Sequence, residues 1–279
     1  MKVKRIDLYK FYKLDRKDND GGYLDLYIPA VNKEFEKSRK LPFMLVIPGG
    51  GYWFLADREA EPLAFHYLAN GFACGILYYS IDHKKYPTQL FESLLAMKYV
   101  KEHSRALRIR KNRVAAIGCS AGGHLLGTLS SFTNKEKEEL NVGELYRPDA
   151  AIFSYSVISS EEGFKHEGSF ANLGFTDKEK AKKVSIELRA DKNFPISFIW
   201  ASKLDDDVRY ENSVVLANKL NELGIDNELY LLEEGGHGLS TCNLTSYRKK
   251  DYSDVIRRCA SWITKCDEWL FNHDFVPKE

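Results

Sequence analysis

Arg113-Val-Ala-Ala-Ile-Gly-Cys-Ser-Ala-Gly-Gly-His-Leu-Leu-Gly127 is the stretch from which the rest of the chain can be read. Residues 114–117 form a short apolar run of the kind that suits a strand buried on both faces of a parallel sheet. From Ala121 onward the composition turns helical, and the reading continues the helix to residue 131. Between the two lies G-x-S-x-G, at Gly118, Ser120 and Gly122. That spacing has a mechanical cause: a serine on a sharp strand-to-helix turn projects its hydroxyl above the sheet, and small residues two positions either side let the flanking backbones pass closely.

Outward from this unit, apolar runs of the same kind recur at 43–47, 73–79, 150–155, 196–200 and 229–232. Helical segments lie between them, at 59–70 closed by Gly71, at 90–103, and at 213–223 closed by Gly224. Residues 23–28 alternate apolar and polar, which predicts a half-buried antiparallel outer strand. Near the end, Val255, Ile256, Cys259, Trp262, Ile263, Cys266, Trp269 and Leu270 fall at i, i+3 and i+4, the stripe of an amphipathic helix docked on the sheet. Strand and helix alternate throughout, so the fold class is α/β: one mostly parallel, doubly wound sheet with helices on both faces. The polar stretch 158–194, with Gly163, Gly168, Gly174 and the run Asp177-Lys178-Glu179-Lys180, breaks the rhythm. It reads as a small insertion over one end of the sheet, within a single domain spanning 1–279.

Composition narrows the classes of function. A chain of 279 residues with 44% hydrophobic and 13% aromatic content has enough core to need no disulfide or metal staple. Lys plus Arg number 41 and Asp plus Glu 40, for a net charge of +1, and the signs are interleaved. A generic nucleic-acid or anionic-membrane binder is excluded on that ground. No apolar run approaches the ~18–20 residues of a membrane span. The start, Met1-Lys2-Val3-Lys4-Arg5, is followed by Asp7, Lys10 and Lys13 rather than an apolar h-region, so a cytoplasmic protein is expected. Cys74, Cys119, Cys242, Cys259 and Cys266 include no C-x-x-C pair and are odd in number, which predicts buried free thiols rather than a disulfide framework or zinc site. Neither a metal nor a cofactor is called for.

A serine hydroxyl is a weak nucleophile at neutral pH and needs a general base, itself oriented by a carboxylate. Glu234-Gly235-Gly236-His237-Gly238 directly follows an apolar strand, so His237 sits on a flexible loop at a strand's C-terminal end. His124, at i+4 from Ser120, is the competitor; helix geometry makes it a packing residue. Leu204-Asp205-Asp206-Asp207-Val208 supplies the carboxylate, and spacing does not choose among its three aspartates. The chain order Ser, Asp, His differs from the trypsin-like and subtilisin-like orders. Pro48-Gly49-Gly50-Gly51-Tyr52 follows the strand at 43–47 and can turn backbone N–H groups toward a developing oxyanion. It lacks the signatures of phosphate and dinucleotide loops. Ala121 N–H, just after Ser120, is the other candidate donor.

Taken together, Pro48-Gly-Gly-Gly-Tyr52, Arg58-Glu-Ala-Glu-Pro62, Tyr86-Pro87, Gly118-Cys-Ser-Ala-Gly-Gly-His124, Arg147-Pro-Asp-Ala150, Glu211-Asn-Ser213 and Glu234-Gly-Gly-His-Gly238 resemble the α/β-hydrolase esterases. The branch they resemble most is that of the acetylesterases and the acetylxylan-esterase-like and feruloyl-esterase-like proteins, and the resemblance runs from about Leu24 to the C-terminal helix. It implies an α/β-hydrolase fold and a serine carboxylesterase for short-chain, chiefly acetyl, esters. Ser120 would be the nucleophile, His237 the base, and Gly50, Gly51 and Ala121 the oxyanion donors. It also favours Asp205 as the acid, since the acid is usually the first residue of D-x-x-V-P; here Arg209 stands in place of the proline and Pro48 in place of a lipase-type histidine. The rings Tyr52, Trp53 and Phe54 are expected beside the carbonyl site, narrowing the acyl pocket. The expected partner is a small-molecule or oligosaccharide ester, with no nucleic acid or membrane. The same machinery also suits an activated amide, as in formamidases or peptidases, and a non-catalytic binding module on the same fold is a third reading.

Overall fold

In the computed structural model of the chain, the residues described are 1–16, 21–30, 34, 39–82 and 84–276. Eight strands form one sheet: β1 (Lys2–Asp7), β2 (Tyr23–Ile28), β3 (Leu41–Ile47), β4 (Ala73–Tyr78), β5 (Ile109–Cys119), β6 (Ala150–Ser154), β7 (Ile196–Ser202) and β8 (Asn227–Leu232). Their spatial order is β1-β2-β4-β3-β5-β6-β7-β8. Strands β3 to β8 run parallel, whereas β1 and β2 pair antiparallel at one side. The helices are α1 (Leu8–Tyr12), α2 (Glu61–Ala69), α3 (Thr88–Glu102), α4 (Ser104–Leu107), α5 (Ala121–Ser130), α6 (Asn134–Leu140), α7 (Glu167–Asn172), α8 (Lys178–Lys182), α9 (Ile186–Arg189), α10 (Glu211–Glu222), α11 (Asp254–Cys259) and α12 (Ser261–Asn272). This is the α/β-hydrolase fold.

The strand period of two builds two cores from one sheet. Phe43, Leu45 and Ile47 of β3 pack with Leu94 of α3 and Leu125 of α5 on one face. Met44 and Val46 pack with Leu63 and Tyr67 of α2 and with Trp262 and Trp269 of α12 on the other. All five β3 side chains are completely buried, which is why that strand reads as an unbroken apolar run. The five cysteines are free and buried. Among the described residues no helix is long and apolar enough to cross a membrane.

Three expectations are corrected. Residues 23–28 do form an antiparallel strand, but β1 pairs outside it and is the true edge. In sequence, Lys2, Lys4 and Arg5 read only as a basic start, yet charged side chains are what protect an edge strand from further pairing; Arg5 forks onto Asp25 across the pair at 2.6 Å. The last amphipathic stretch is two helices, α11 and α12, meeting at Ala260. Only the second presents a buried stripe of Trp262, Cys266, Trp269 and Leu270, while Val255 is exposed. Finally, α6 has no counterpart among the expected helices, although Thr133 and Glu136 close it with a reciprocal capping box.

The stretch 158–194 lies between β6 and β7 and carries α7, α8 and α9. It brings a small core of its own: Phe170, Ala181 and Val184 pack with Val157 and Val208. Asn212 of α10 pins its start, accepting from the amides of Ile158 and Ser159 and donating to the Phe164 carbonyl.

Helix α5 approaches the end of β3 so closely that a Cβ at Gly122 would lie 2.1 Å from the Ile47 carbonyl oxygen and 2.4 Å from that of Pro48. Because the obstacle is backbone, Gly122→Ala is expected to destabilise the fold by about 2–3 kcal/mol in urea unfolding. Gly236→Ala, which meets nothing within 4 Å, is the control and stays within about 0.5 kcal/mol of the parent.

Candidate active site

The spatial order of the sheet reverses at β3 and β5: from β3 the chain turns outward to β4, then crosses back so that β5 lies on the other side of β3. In open α/β sheets such a switch point opens a crevice at the carboxyl ends of the strands, where ligands bind. The carboxyl end of β3 leads into Gly49, Gly50 and Gly51, and that of β5 into Ser120.

Ser120 has φ 52° and ψ −120°, outside the conformations that side-chain-bearing residues prefer. The turn is held by its amide, which donates to Ser154 O at 2.9 Å, and by its carbonyl, which accepts from Val157 N at 3.0 Å. The hydroxyl meets Nε2 of His237 at 2.9 Å, and His237 Nδ1 meets Asp205 Oδ2 at 2.7 Å. A carboxylate only accepts, so the proton on this side of the ring is on Nδ1 and Nε2 is left to accept from the serine.

Of the three aspartates, Asp205 alone is buried. Its Oδ1 accepts from the amides of Asp207 at 3.0 Å and Val208 at 2.9 Å, folding the turn around the carboxylate and leaving Oδ2 for the imidazole. Asp206 and Asp207 are exposed. Burial disfavours the charged imidazole, but the hydrogen bond and charge of Asp205, with smaller contributions from Glu59 and Asp207, outweigh it and hold the His237 pKa above the ordinary 6.5.

The glycine loop is tightly wound. Gly50 and Gly51 have φ of 117° and 64°, and the Gly50 carbonyl accepts from the amides of Trp53 and Phe54. The Gly49 amide is taken by Glu59, at 2.8 Å. Among the described residues the amides of Gly50, Gly51 and Ala121 have no protein acceptor. Ala121 opens α5, whose N-terminal dipole favours negative charge nearby. Asn172 at the end of α7 donates to the Gly51 carbonyl at 2.8 Å, tying the insertion to this loop.

The three rings after the loop part company. Tyr52, at φ 60°, turns beneath the loop, 2% exposed, where its hydroxyl bonds His124 Nδ1 at 2.8 Å and its ring packs edge-on against Tyr79. It therefore does not line an open pocket as expected; its polar tip finds a buried partner instead. Trp53 and Phe54 remain more than half exposed beside the site. His124 is fixed through both nitrogens, Nε2 donating to Val184 O at 2.8 Å, and burial lowers its pKa to about 4. It is a neutral packing residue.

Sequence reasoning missed Glu59. It lies in the run Arg58-Glu-Ala-Glu-Pro62, yet the structure buries it behind the site, where it also accepts from the Tyr155 hydroxyl at 2.9 Å.

The model of the BD-FAE family matches residues 24–220. The chain belongs to the BD-FAE family. Among curated proteins it is similar to endo-1,4-beta-xylanase B of Butyrivibrio fibrisolvens, 31% identical over 72% of this chain and 33% of that protein. It is also similar to the acetylxylan esterase of Xylanibacter ruminicola, 25% identical over 78% of this chain and 44% of that protein. The chain thus spans between a third and a half of these relatives' length. Among solved structures, the acetyl ester-xyloside bifunctional hydrolase of Caldicellulosiruptor lactoaceticus superposes with a TM-score of 0.82 at 28% identity, covering 98% of this BD-FAE chain and 97% of the other.

If Nε2 must be unprotonated to accept from Ser120, turnover rises with pH through the His237 pKa. For p-nitrophenyl acetate, the acidic limb of kcat/KM is expected to have its midpoint above about 6.5. Asp205→Asn is expected to reduce turnover by about 10³–10⁴-fold and move that limb down, because the imidazole loses the partner that fixes its tautomer. Asp206→Asn and Asp207→Asn stay within about fivefold of the parent, since exposed carboxylates make little difference. A larger loss from either would contradict the assignment.

Proposed function

We propose that this BD-FAE protein is a serine carboxylesterase for short acyl, chiefly acetyl, esters, acting through an acyl-enzyme, with acylated plant-cell-wall oligosaccharides as its substrate class. The observation that carries this reading is the unbroken hydrogen-bond chain from Ser120 through His237 to Asp205, set at the sheet's switch point beside three amides with no acceptor of their own among the described residues.

The chemistry follows from those atoms. Nε2 of His237 takes the Ser120 proton as Oγ attacks the ester carbonyl, and the imidazolium that forms is the species Asp205 stabilises. Negative charge grows on the carbonyl oxygen, where amides of Gly50, Gly51 and Ala121 can receive it in a site that needs no reorganisation. Collapse expels the alcohol, which takes its proton from His237, and leaves an acyl group on Ser120. Water activated by the same imidazole then releases the acid and restores the serine.

The oligosaccharide side of the proposal draws on relatives named for acetylxylan and xyloside hydrolysis. The acyl side draws on Trp53 and Phe54, which follow the oxyanion loop directly in sequence and are expected to narrow the acyl pocket.

The deciding experiment is one preparation assayed on aryl esters of increasing acyl length, acetylated xylo-oligosaccharides and N-formyl amides. The expected kcat/KM order is acetyl above butyryl, with octanoyl near background, because exclusion of oversize groups is steric. Comparable rates on acetate and octanoate would move the reading to a lipase-like enzyme, and turnover confined to the amides would replace it with an amidase.

A further inference from the structure

The two loops that meet at Ser120 are not independent, and the group that joins them is Glu59. The residue is 3% exposed. Oε2 accepts from the Gly49 amide at 2.8 Å, at the root of the oxyanion loop. Oε1 accepts from the Tyr155 hydroxyl at 2.9 Å, and that hydroxyl in turn accepts from the Ser240 amide at 3.1 Å, three residues beyond His237. The Tyr155 ring stands edge-on to the imidazole with centroids 5.1 Å apart.

Nearby backbone has been cleared for this arrangement. A Cβ at Gly49 would lie 2.7 Å from Glu59 Oε2 and 2.9 Å from Ser120 Cβ, so carboxylate and nucleophile crowd the same glycine. Both carboxylate oxygens thus face donors, which is the pattern an ionised, acceptor-only carboxylate satisfies.

We propose that Glu59 is a positioning residue: it sets the oxyanion loop and the histidine loop at a fixed distance across the nucleophile, and it presents a second negative charge to the His237 imidazolium. The inference rests on the reading of Ser120 as the nucleophile. The oxyanion amides of Gly50 and Gly51 follow a residue whose own N–H is anchored, so the loop cannot relax when charge develops; the histidine loop is anchored by the same carboxylate through Tyr155. The ionisable groups around Glu59 are Tyr155, His237 and Arg58, with Tyr79 and Cys119 behind it. Those facing His237 are Asp205, Glu59, Asp207 and His166. Burial raises the Glu59 pKa, opposed by the Gly49 amide, the Tyr155 hydroxyl and the charges of His237 and Arg58.

The test compares Glu59→Gln, which keeps the shape and removes the charge, with Glu59→Asp, which keeps the charge and shortens the reach. The readouts are the His237 imidazole titration by ¹⁵N NMR and steady-state hydrolysis of p-nitrophenyl acetate. Glu59→Gln is expected to lower the His237 pKa by about half a unit or more, and to lower kcat about tenfold or more with KM within about threefold, because oxyanion contacts act in the transition state. Glu59→Asp is expected to titrate within about 0.3 of the parent while losing kcat. A Glu59→Gln protein with the parent's titration and a kcat within twofold overturns the proposal. If Glu59→Gln does not fold, Tyr155→Phe removes the hydroxyl that joins Glu59 to Ser240 and leaves the Gly49 contact in place: a kcat loss of about threefold at unchanged KM supports the proposal, and parental kcat overturns it. The titration needs no turnover, so a parent that hydrolyses no ester refutes the proposed esterase function while Glu59 is still judged by the imidazole.

Discussion

Ser120 is held at φ 52° and ψ −120° where β5 gives way to α5, and the rest of the site depends on that unfavourable turn. Backbone strain of this kind costs of order 1–3 kcal/mol and persists only where the surroundings over-determine it. Here they do. The residue's own amide and carbonyl are both bonded, to Ser154 and Val157 of the neighbouring strand and its exit. Gly118 and Gly122 pack so closely that a Cβ at Gly118 would lie 2.5 Å from the Gly122 carbonyl oxygen. The reward for the strain is placement: Oγ emerges at the switch point, within reach of a histidine that arrives from the end of β8, on the far side of β6 and β7.

Around that point the electrostatics are graded. Asp205, completely buried at its side chain, gives the imidazole its direct partner. Glu59 adds a charge from behind and holds the glycine loop by its first amide. The two carboxylates serve the imidazole in different ways. In the proposed mechanism, Asp205 fixes the tautomer of the base, and Glu59 the frame in which base and oxyanion donors face each other. The segment between β6 and β7 joins the same frame through Asn172 on the Gly51 carbonyl.

Much of this was legible in the sequence because the physics is local. Strands buried on both faces must be apolar throughout, so β3 and β5 to β7 announce themselves. A nucleophile on a tight turn needs its glycines at fixed offsets, and a mobile histidine needs its own. The choice among Asp205, Asp206 and Asp207 was legible only through family resemblance, since what separates them is a turn that folds two amides onto the first carboxylate. Glu59 was not legible at all: its partners Gly49 and Tyr155 lie 10 and 96 residues away, and in sequence it is one more acid in a charged helix start. β1 was hidden for the opposite reason, since the charges that protect an edge strand also disguise it. Tyr52 misled because three consecutive rings do not share a direction once the first takes a positive φ.

The proposed chemistry stands on Ser120 being made nucleophilic by His237. Covalent labelling with a fluorophosphonate, followed by intact mass and peptide mapping of the parent and the His237→Ala protein, measures this without reference to any substrate. One adduct per chain is expected, carried by Ser120, with a labelling rate lower by at least about a hundredfold in the absence of the imidazole. No adduct, an adduct on another residue, or equal labelling of the two proteins would show that His237 does not activate Ser120.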